Sequence, residues 1–144
     1  MTAMSTTASV ILLLGRMFFV AMFVVSAWGN IVDHQRYVTL TKGKMPVPYV
    51  AGWPVGVWEI VATASVVLGI WPDGGMLMIA AFLIPTTLLF HRYWTFSDPA
   101  QRLTQRGSFL RNVSLLGATL ALFAFFTVAG PGQFAITGSF FNLR

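Results

Sequence analysis

The stretch VILLLGRMFFVAMFVVSAW, residues 10–28, decides the fold because it is long and apolar enough to cross a bilayer. It contains a single charge, Arg16, and a second apolar stretch, residues 49–71, also contains one charge, Glu59. A charged side chain at the centre of a bilayer costs at least about 2.5–3.5 kcal/mol, so such residues usually face other helices and pair there. The pattern therefore predicts membrane-spanning helices around a polar interior.

The composition of the whole chain is that of a membrane protein. Of its 144 residues, 56% are hydrophobic and 9% are charged, whereas a soluble domain usually carries about 25% charged residues. Four spans are expected, at about residues 10–28, 49–71, 74–94 and 109–130, in a single domain of residues 1–144. We predict an all-α integral membrane four-helix bundle, with a short interfacial helix in the first loop.

The basic residues predict how the bundle is oriented. Seven of the nine lysines and arginines lie in or beside the two longer loops, and only Arg144 lies on the opposite side. By the positive-inside rule, those loops face the cytoplasm. We therefore predict a multi-pass protein of the bacterial inner membrane with both termini in the periplasm. Orientation also accounts for the net charge of +5, so the lipid bilayer, and not nucleic acid, is the expected partner.

The two intramembrane charges are predicted to form a pair. If the first two spans are antiparallel neighbours, Arg16 lies about 18 Å from the loop end of its span and Glu59 about 15 Å from the loop end of the other. An arginine side chain can bridge the difference of about 3 Å. Gly52 and Gly56 form a G-x-x-x-G pattern that favours close helix packing and share a helix face with Glu59.

Further polar residues lie toward the cytoplasmic ends of the later spans. His91 closes the third span and Asn112 lies early in the fourth. Together with Arg16 and Glu59, these residues are expected at successive depths from the middle of the membrane to its inner face. This arrangement suits a proton path or a binding site for a polar headgroup. Trp94, one helical turn after His91, is a candidate for stacking against that headgroup.

A purely structural interpretation of these residues stays open. Arg16 and Glu59 would then be a buried pair that fixes helix register. His91 would be an interfacial anchor, Asn112 would form an interhelical hydrogen bond, and Trp94 would belong to the aromatic belt at the membrane surface. The residue types and their spacing do not choose between the two interpretations.

Several chemistries are excluded or unsupported. The chain has no cysteine, which excludes disulfides and thiol–disulfide exchange. Glu59 and His91 are too few ligands for a metal site, and His34 lies in a loop, away from the matched depth that bis-histidine haem needs. No nucleophile–base arrangement or phosphate-binding glycine loop is present. We expect no intrinsic cofactor and no catalysis by this chain on its own.

Several short motifs occur in an order that resembles the DoxX family of small four-span membrane proteins. They are Gly15-Arg16, the loop Gly43 to Pro46, Glu59 in a glycine-containing span, Phe90-His91-Arg92-Tyr93-Trp94, and Phe109-Leu110-Arg111-Asn112. The recurrent polar positions of the family correspond to Arg16, Glu59, His91 and Asn112. Asn30 departs from the pattern, because family members often carry a lysine there.

The resemblance implies a fold more directly than an activity. Some DoxX-like proteins are subunits of a membrane thiosulfate:quinone oxidoreductase, and others belong to oxidative-stress complexes. We therefore predict an accessory subunit of a redox complex that offers a quinone or proton site between its helices. In this hypothesis Glu59 accepts or relays a proton, Arg16 tunes Glu59 by charge pairing, and His91 exchanges protons with the cytoplasm.

Two other functions are weighed against this hypothesis. A ligand-free assembly protein would pack against a larger complex and use the polar residues only for structure. A transporter of small molecules or lipids would need a cavity that reaches both faces, and the outer half of the spans is wholly apolar. The assembly protein is the main alternative, and transport is the less favoured one.

Overall fold

The computed structural model describes residues 4–141 and 143, and within these residues the regular structure is helical, without strands. The helices are α1 (Thr6–Val32), α2 (His34–Thr41), α3 (Trp53–Leu68), α4 (Pro72–Phe90) and α5 (Pro99–Ala129). Short 3-10 turns at Pro48–Ala51 and Tyr93–Thr95 precede α3 and follow α4. The all-α bundle is confirmed, and so is the short helix in the first loop, which is α2.

Among the described residues, three segments are long and apolar enough to cross a membrane by length and composition, namely α1, Pro72–Thr95 and α5. The fourth long helix, α3, is apolar but has only 16 residues. Helix α5 begins ten residues before the predicted fourth span, because the side chain of Asp98 accepts a hydrogen bond from the amide of Gln101 at 2.9 Å and caps a polar first turn.

The long helices pack in chain order, α1 on α3, α3 on α4 and α4 on α5. All four contribute to one apolar core, formed by Val20, Phe23, Ala62, Val66, Met76, Ile79, Leu83 and Phe126.

We call the end with the α3–α4 turn the tail end, and the end with α2 and the α4–α5 connection the loop end. Val66, Met76 and Phe126 lie near the α3–α4 turn and the end of α5, whereas Phe23 and Leu83 lie just past the middle of α1 and α4, so the core extends from the tail end to the middle of the bundle.

Residues 130–141 fold back across the tail end. The amides of Ile136 and Thr137 donate to the carbonyls of Leu68 and Gly69 at 3.1 and 3.0 Å, in the turn between α3 and α4. Gly69 has a φ of 66°, a left-handed conformation that glycine adopts readily at the end of a helix. The returning chain thus binds the backbone of this turn.

The carboxylate of Asp73 binds the end of the returning segment, residues 130–141, which we call the tail. It lies fully buried in the first turn of α4 and accepts hydrogen bonds from the amides of Phe140 at 2.9 Å and Phe141 at 2.6 Å. Hydrogen bonds to an ionised acceptor are stronger than neutral ones. Asp73 is therefore the main polar contact between α4 and the tail.

Candidate functional site

The register of α1 against α3 differs from the predicted one. Helix α1 continues four residues beyond the predicted span, to Val32, and α3 begins four residues later than predicted, at Trp53. Arg16 therefore lies about 24 Å from the loop end of α1, and Glu59 about 9 Å from the loop end of α3. The two levels differ by about 15 Å, which an arginine side chain does not span. The prediction of an Arg16–Glu59 ion pair is wrong.

Arg16 is buried toward the tail end, with 1% of its surface exposed. Its Nη1 donates to the carbonyl oxygen of Val66 at 3.4 Å. Its Nε and Nη2 are buried and have no hydrogen-bond partner among the described residues. Arg16 thus belongs to the packing beneath the α3–α4 turn, and lies apart from Glu59.

Glu59 is buried toward the loop end and is paired with an amide. The Nδ2 of Asn30 donates to Glu59 Oε2 at 2.8 Å, and the same nitrogen lies 3.5 Å from Ser26 Oγ. The other carboxylate oxygen, Oε1, is buried without a partner in the part of the chain that the structure describes. Ser26 and Asn30 are one turn apart on α1, so together they present a polar face to Glu59.

Two glycines let α3 approach α1 and α2 closely enough for these contacts. A Cβ at Gly56 would lie 2.6 Å from Ile31 Cγ1 and 2.8 Å from the carbonyl oxygen of Ala27. A Cβ at Gly52 would overlap the imidazole of His34, whose Nδ1 accepts a hydrogen bond from the first amide of α3 at 3.1 Å. Side chains at either position would push the helices apart.

A cavity of about 440 Å³ lies beside this polar face, between α2, α3 and the second half of α4. Most of its wall is apolar, and the larger apolar side chains in it are those of Leu40, Met45, Val50, Val55, Trp58, Phe82, Leu89 and Phe90. Its polar side chains are those of Ser26, Asn30, Tyr37, Thr86 and His91. A mostly apolar pocket with a few polar groups is the usual form of a small-molecule site.

The polar groups in the wall include hydrogen-bond acceptors. His91 Nδ1 lies 2.9 Å from Gln105 Oε1 of α5. Because an amide oxygen only accepts, Nδ1 carries the proton in this bond, and Nε2, which makes no hydrogen bond to a described residue, is an acceptor in that tautomer. The Oδ1 of Asn30 makes no hydrogen bond to a described residue and is a second acceptor. Both can receive a hydrogen bond from a ligand hydroxyl.

The backbone carbonyl of Ala81 adds to the hydrogen-bond acceptors at the cavity wall. Pro85 lies inside α4 and has no amide hydrogen, so the carbonyl of Ala81 lacks its usual partner within the helix. Ala81 and Pro85 both line the cavity. The cavity therefore borders a point at which the backbone of α4 has lost one internal hydrogen bond.

The sequence model of the DoxX family matches residues 11–92, more than half of the chain. The chain belongs to the DoxX family. The match runs from α1 to the residue after His91 and contains every residue that lines the 440 Å³ cavity. Comparisons with curated proteins and with solved structures gave no match. The family and the apolar helices make this a small multi-pass membrane protein.

This DoxX protein brings together only part of the predicted polar set. His91 lines the cavity, and Glu59 lies behind its wall, in contact with Asn30. Asn112 is buried on α5 but does not line the cavity, and Arg16 lies toward the tail end. The described residues contain no group of three or more metal-binding side chains.

Trp94 also lies outside the cavity of this DoxX protein. It is half exposed in the 3-10 turn after α4, and its ring packs edge-on against Tyr93 at 5.2 Å and Phe109 at 5.8 Å. These contacts join the α4–α5 connection to α5. The Trp94 ring therefore does not line the cavity, and its role in stacking stays a prediction.

Sequence reasoning missed two residues of the DoxX cavity wall, Ser26 and Asn30. Their spacing of four residues in an otherwise apolar stretch was the available signal, because such residues share one helix face. Asn30 follows Trp28, the predicted end of the first span, so the hydropathy pattern places it outside that span. In the structure it is 4% exposed and belongs to α1.

Proposed function

We propose that this DoxX protein is an accessory membrane subunit that binds a quinone headgroup for a partner redox enzyme. The cavity carries the proposal, because about 440 Å³ with a largely apolar wall suits a substituted ring and the start of its tail. A quinone accepts hydrogen bonds through its carbonyls, and a quinol donates them. The Tyr37 hydroxyl can donate to a quinone carbonyl, and Asn30 Oδ1 and His91 Nε2 can accept from a quinol hydroxyl.

Proton transfer in this proposal uses two groups of the chain. Reduction of one quinone to quinol consumes two electrons, supplied by a redox centre of the partner enzyme, and two protons. His91, at the end of α4, passes one proton to the nearer ring oxygen. Glu59 passes the other through the hydroxyl of Ser26, which lies 3.5 Å from the Asn30 amide nitrogen that binds Glu59 and which lines the cavity. Both groups are then reprotonated from the loop end.

The orientation belongs to the same proposal. The loop end carries most of the lysines and arginines, so we place it in the cytoplasm of a bacterium and the tail end in the periplasm. The cavity then lies in the inner half of the membrane, within reach of quinones dissolved in the bilayer. The packed core toward the tail end, with Val66, Met76 and Phe126 fully buried, argues against a transport path between the two faces.

A matched pair of alanine variants tests the proposal. Ala81 lines the cavity, so Ala81→Phe fills part of it, whereas Ala121 is exposed on α5 away from the cavity, so Ala121→Phe adds the same ring without filling it. The dissociation constant of a short-chain ubiquinone analogue is measured for protein in lipid nanodiscs. We expect Ala81→Phe to weaken binding at least about tenfold, by about 1.4 kcal/mol, and Ala121→Phe to leave it unchanged. Equal affinities, or no binding by the unmodified protein, would favour the ligand-free assembly role.

A further inference from the structure

A second, smaller cavity of about 270 Å³ opens at the loop end of α4. Two cations line it, Lys44 from the first loop and Arg92 from the residues after α4. Leu89, Phe90 and Phe96 supply an apolar wall. Leu89 and Phe90 also line the 440 Å³ cavity, so the two cavities are neighbours that share one wall.

The two cations are held in place while their charges stay available. The ammonium of Lys44 lies 5.4 Å from the centre of the Phe90 ring, a cation–π contact. The Nε of Arg92 donates to the carbonyl of Leu88 at 2.7 Å, whereas its Nη1 and Nη2 make no hydrogen bond to a described residue. Among the described residues, neither cation forms an ion pair with a carboxylate. Two positive charges therefore line one small groove without a counter-ion.

We propose that this groove binds the phosphate of an anionic phospholipid. Arg92 follows the last turn of α4, at the level where a membrane helix reaches the headgroups, and basic pockets at this level are suited to lipid phosphates. Leu88, one turn earlier, is exposed on the outside of the helix, as a residue that faces acyl chains is. The apolar wall formed by Leu89, Phe90 and Phe96 suits the glycerol and the first acyl carbons of a lipid. This site does not depend on the quinone proposal.

Charge-removing variants with a matched control test this site. Native mass spectrometry of the protein in detergent measures binding of phosphatidylglycerol and of phosphatidylcholine to the unmodified chain, to Lys44→Gln/Arg92→Gln and to Arg102→Gln/Arg106→Gln. The control pair is exposed on α5 and removes the same charge. A basic residue near the membrane surface contributes about 1 kcal/mol to binding anionic lipid, so loss of two predicts binding weaker by about 30-fold. We expect this loss of binding for phosphatidylglycerol and only with the Lys44→Gln/Arg92→Gln variant.

Two further measurements test whether the groove recognises the charge of a lipid phosphate. Lys44→Arg/Arg92→Lys keeps both charges and is expected to bind phosphatidylglycerol within about threefold of the unmodified protein. Inorganic phosphate at millimolar concentration is expected not to displace the lipid. The proposal is overturned if the control variant loses as much affinity, or if phosphatidylcholine binds equally well. Displacement by inorganic phosphate also overturns it and identifies a site for a free anion.

Discussion

Asn30 Nδ2 donates a 2.8 Å hydrogen bond to Glu59 Oε2 across the interface between α1 and α3. Among the described residues, Asn30 is the one hydrogen-bond partner of Glu59, and the contact lies directly behind the wall of the larger cavity. The sequence resemblance to the family implies a lysine at the position of Asn30 in many of its members. An amide here keeps the hydrogen bond to Glu59 but removes the positive charge that a lysine would bring. Among the described residues, Glu59 is therefore held by a neutral amide and not by a cation.

Replacement of Asn30 tests how much this contact stabilises the bundle. Asn30→Leu removes the amide donor and leaves the buried carboxyl group of Glu59 without this hydrogen bond. We expect the free energy of unfolding to fall by about 1–3 kcal/mol. Asn30→Lys keeps a donor and adds an opposite charge, so it is expected to retain the stability of the unmodified protein. Thermal unfolding in detergent measures both variants. An unchanged melting temperature for Asn30→Leu would show that the contact contributes little.

A double-mutant cycle tests the register of α1 against α3. Arg16→Met removes a buried cation that has two unpartnered nitrogens, and we expect it not to destabilise the protein. Because Arg16 and Glu59 are about 15 Å apart along the helices, the effects of Arg16→Met and Glu59→Gln should add within about 0.5 kcal/mol. A coupling energy well above 1 kcal/mol would mean that the two side chains do interact.

Alanine at two glycines should have opposite effects. At Gly56 the new methyl group meets the Ala27 backbone at 2.8 Å, so Gly56→Ala is expected to destabilise the bundle by about 1–3 kcal/mol. At Gly117 a new methyl group would meet no atom of the described residues within 4 Å outside the adjacent turns of its own helix, and Gly117→Ala should stabilise α5 by up to about 1 kcal/mol through helix propensity. Unfolding in a denaturing detergent ranks the two variants. Equal effects would show that α3 does not pack on α1 at this glycine.

The tail should be released when Asp73 loses its carboxylate. Asp73→Ala removes the acceptor of the Phe140 and Phe141 amides, so these amides should exchange with deuterium at least about tenfold faster, as loss of about 1.4 kcal/mol of protection predicts. Asp33→Ala is the matched control, because Asp33 is exposed and makes no capping hydrogen bond. Hydrogen exchange read by mass spectrometry measures both. Unchanged exchange of the tail amides in Asp73→Ala would show that other contacts hold the tail.

The helices were predictable from hydropathy, but their register was not. Long apolar stretches identify helices because a bilayer demands about 20 apolar residues. The ends of α1 and α3 depend on residues 29–32 and 49–52, where polar and apolar residues mix and where the chain forms a helical end and a 3-10 turn. An error of four residues at each end shifted the levels of Arg16 and Glu59 by about 12 Å in total.

The candidate site was predictable only in part, for a related reason. His91 and Glu59 stood out because charged or titratable groups are rare in apolar stretches. Ser26 and Asn30 became site residues only once α1 was known to continue past Trp28. The cavity itself depends on how α2 folds against α3 and α4, which is a matter of tertiary packing and has no local sequence pattern.

Photolabelling with an azidoquinone is the most direct measurement of ligand binding in the larger cavity. The protein is illuminated in membranes with the probe, and the labelled residues are identified by peptide mass spectrometry. We predict labels on cavity residues such as Tyr37, Met45 and Trp58, and their loss in Ala81→Phe but not in Ala121→Phe. Labels confined to lipid-facing residues of α1 or α5, or labels unaffected by Ala81→Phe, would contradict a quinone site in this cavity.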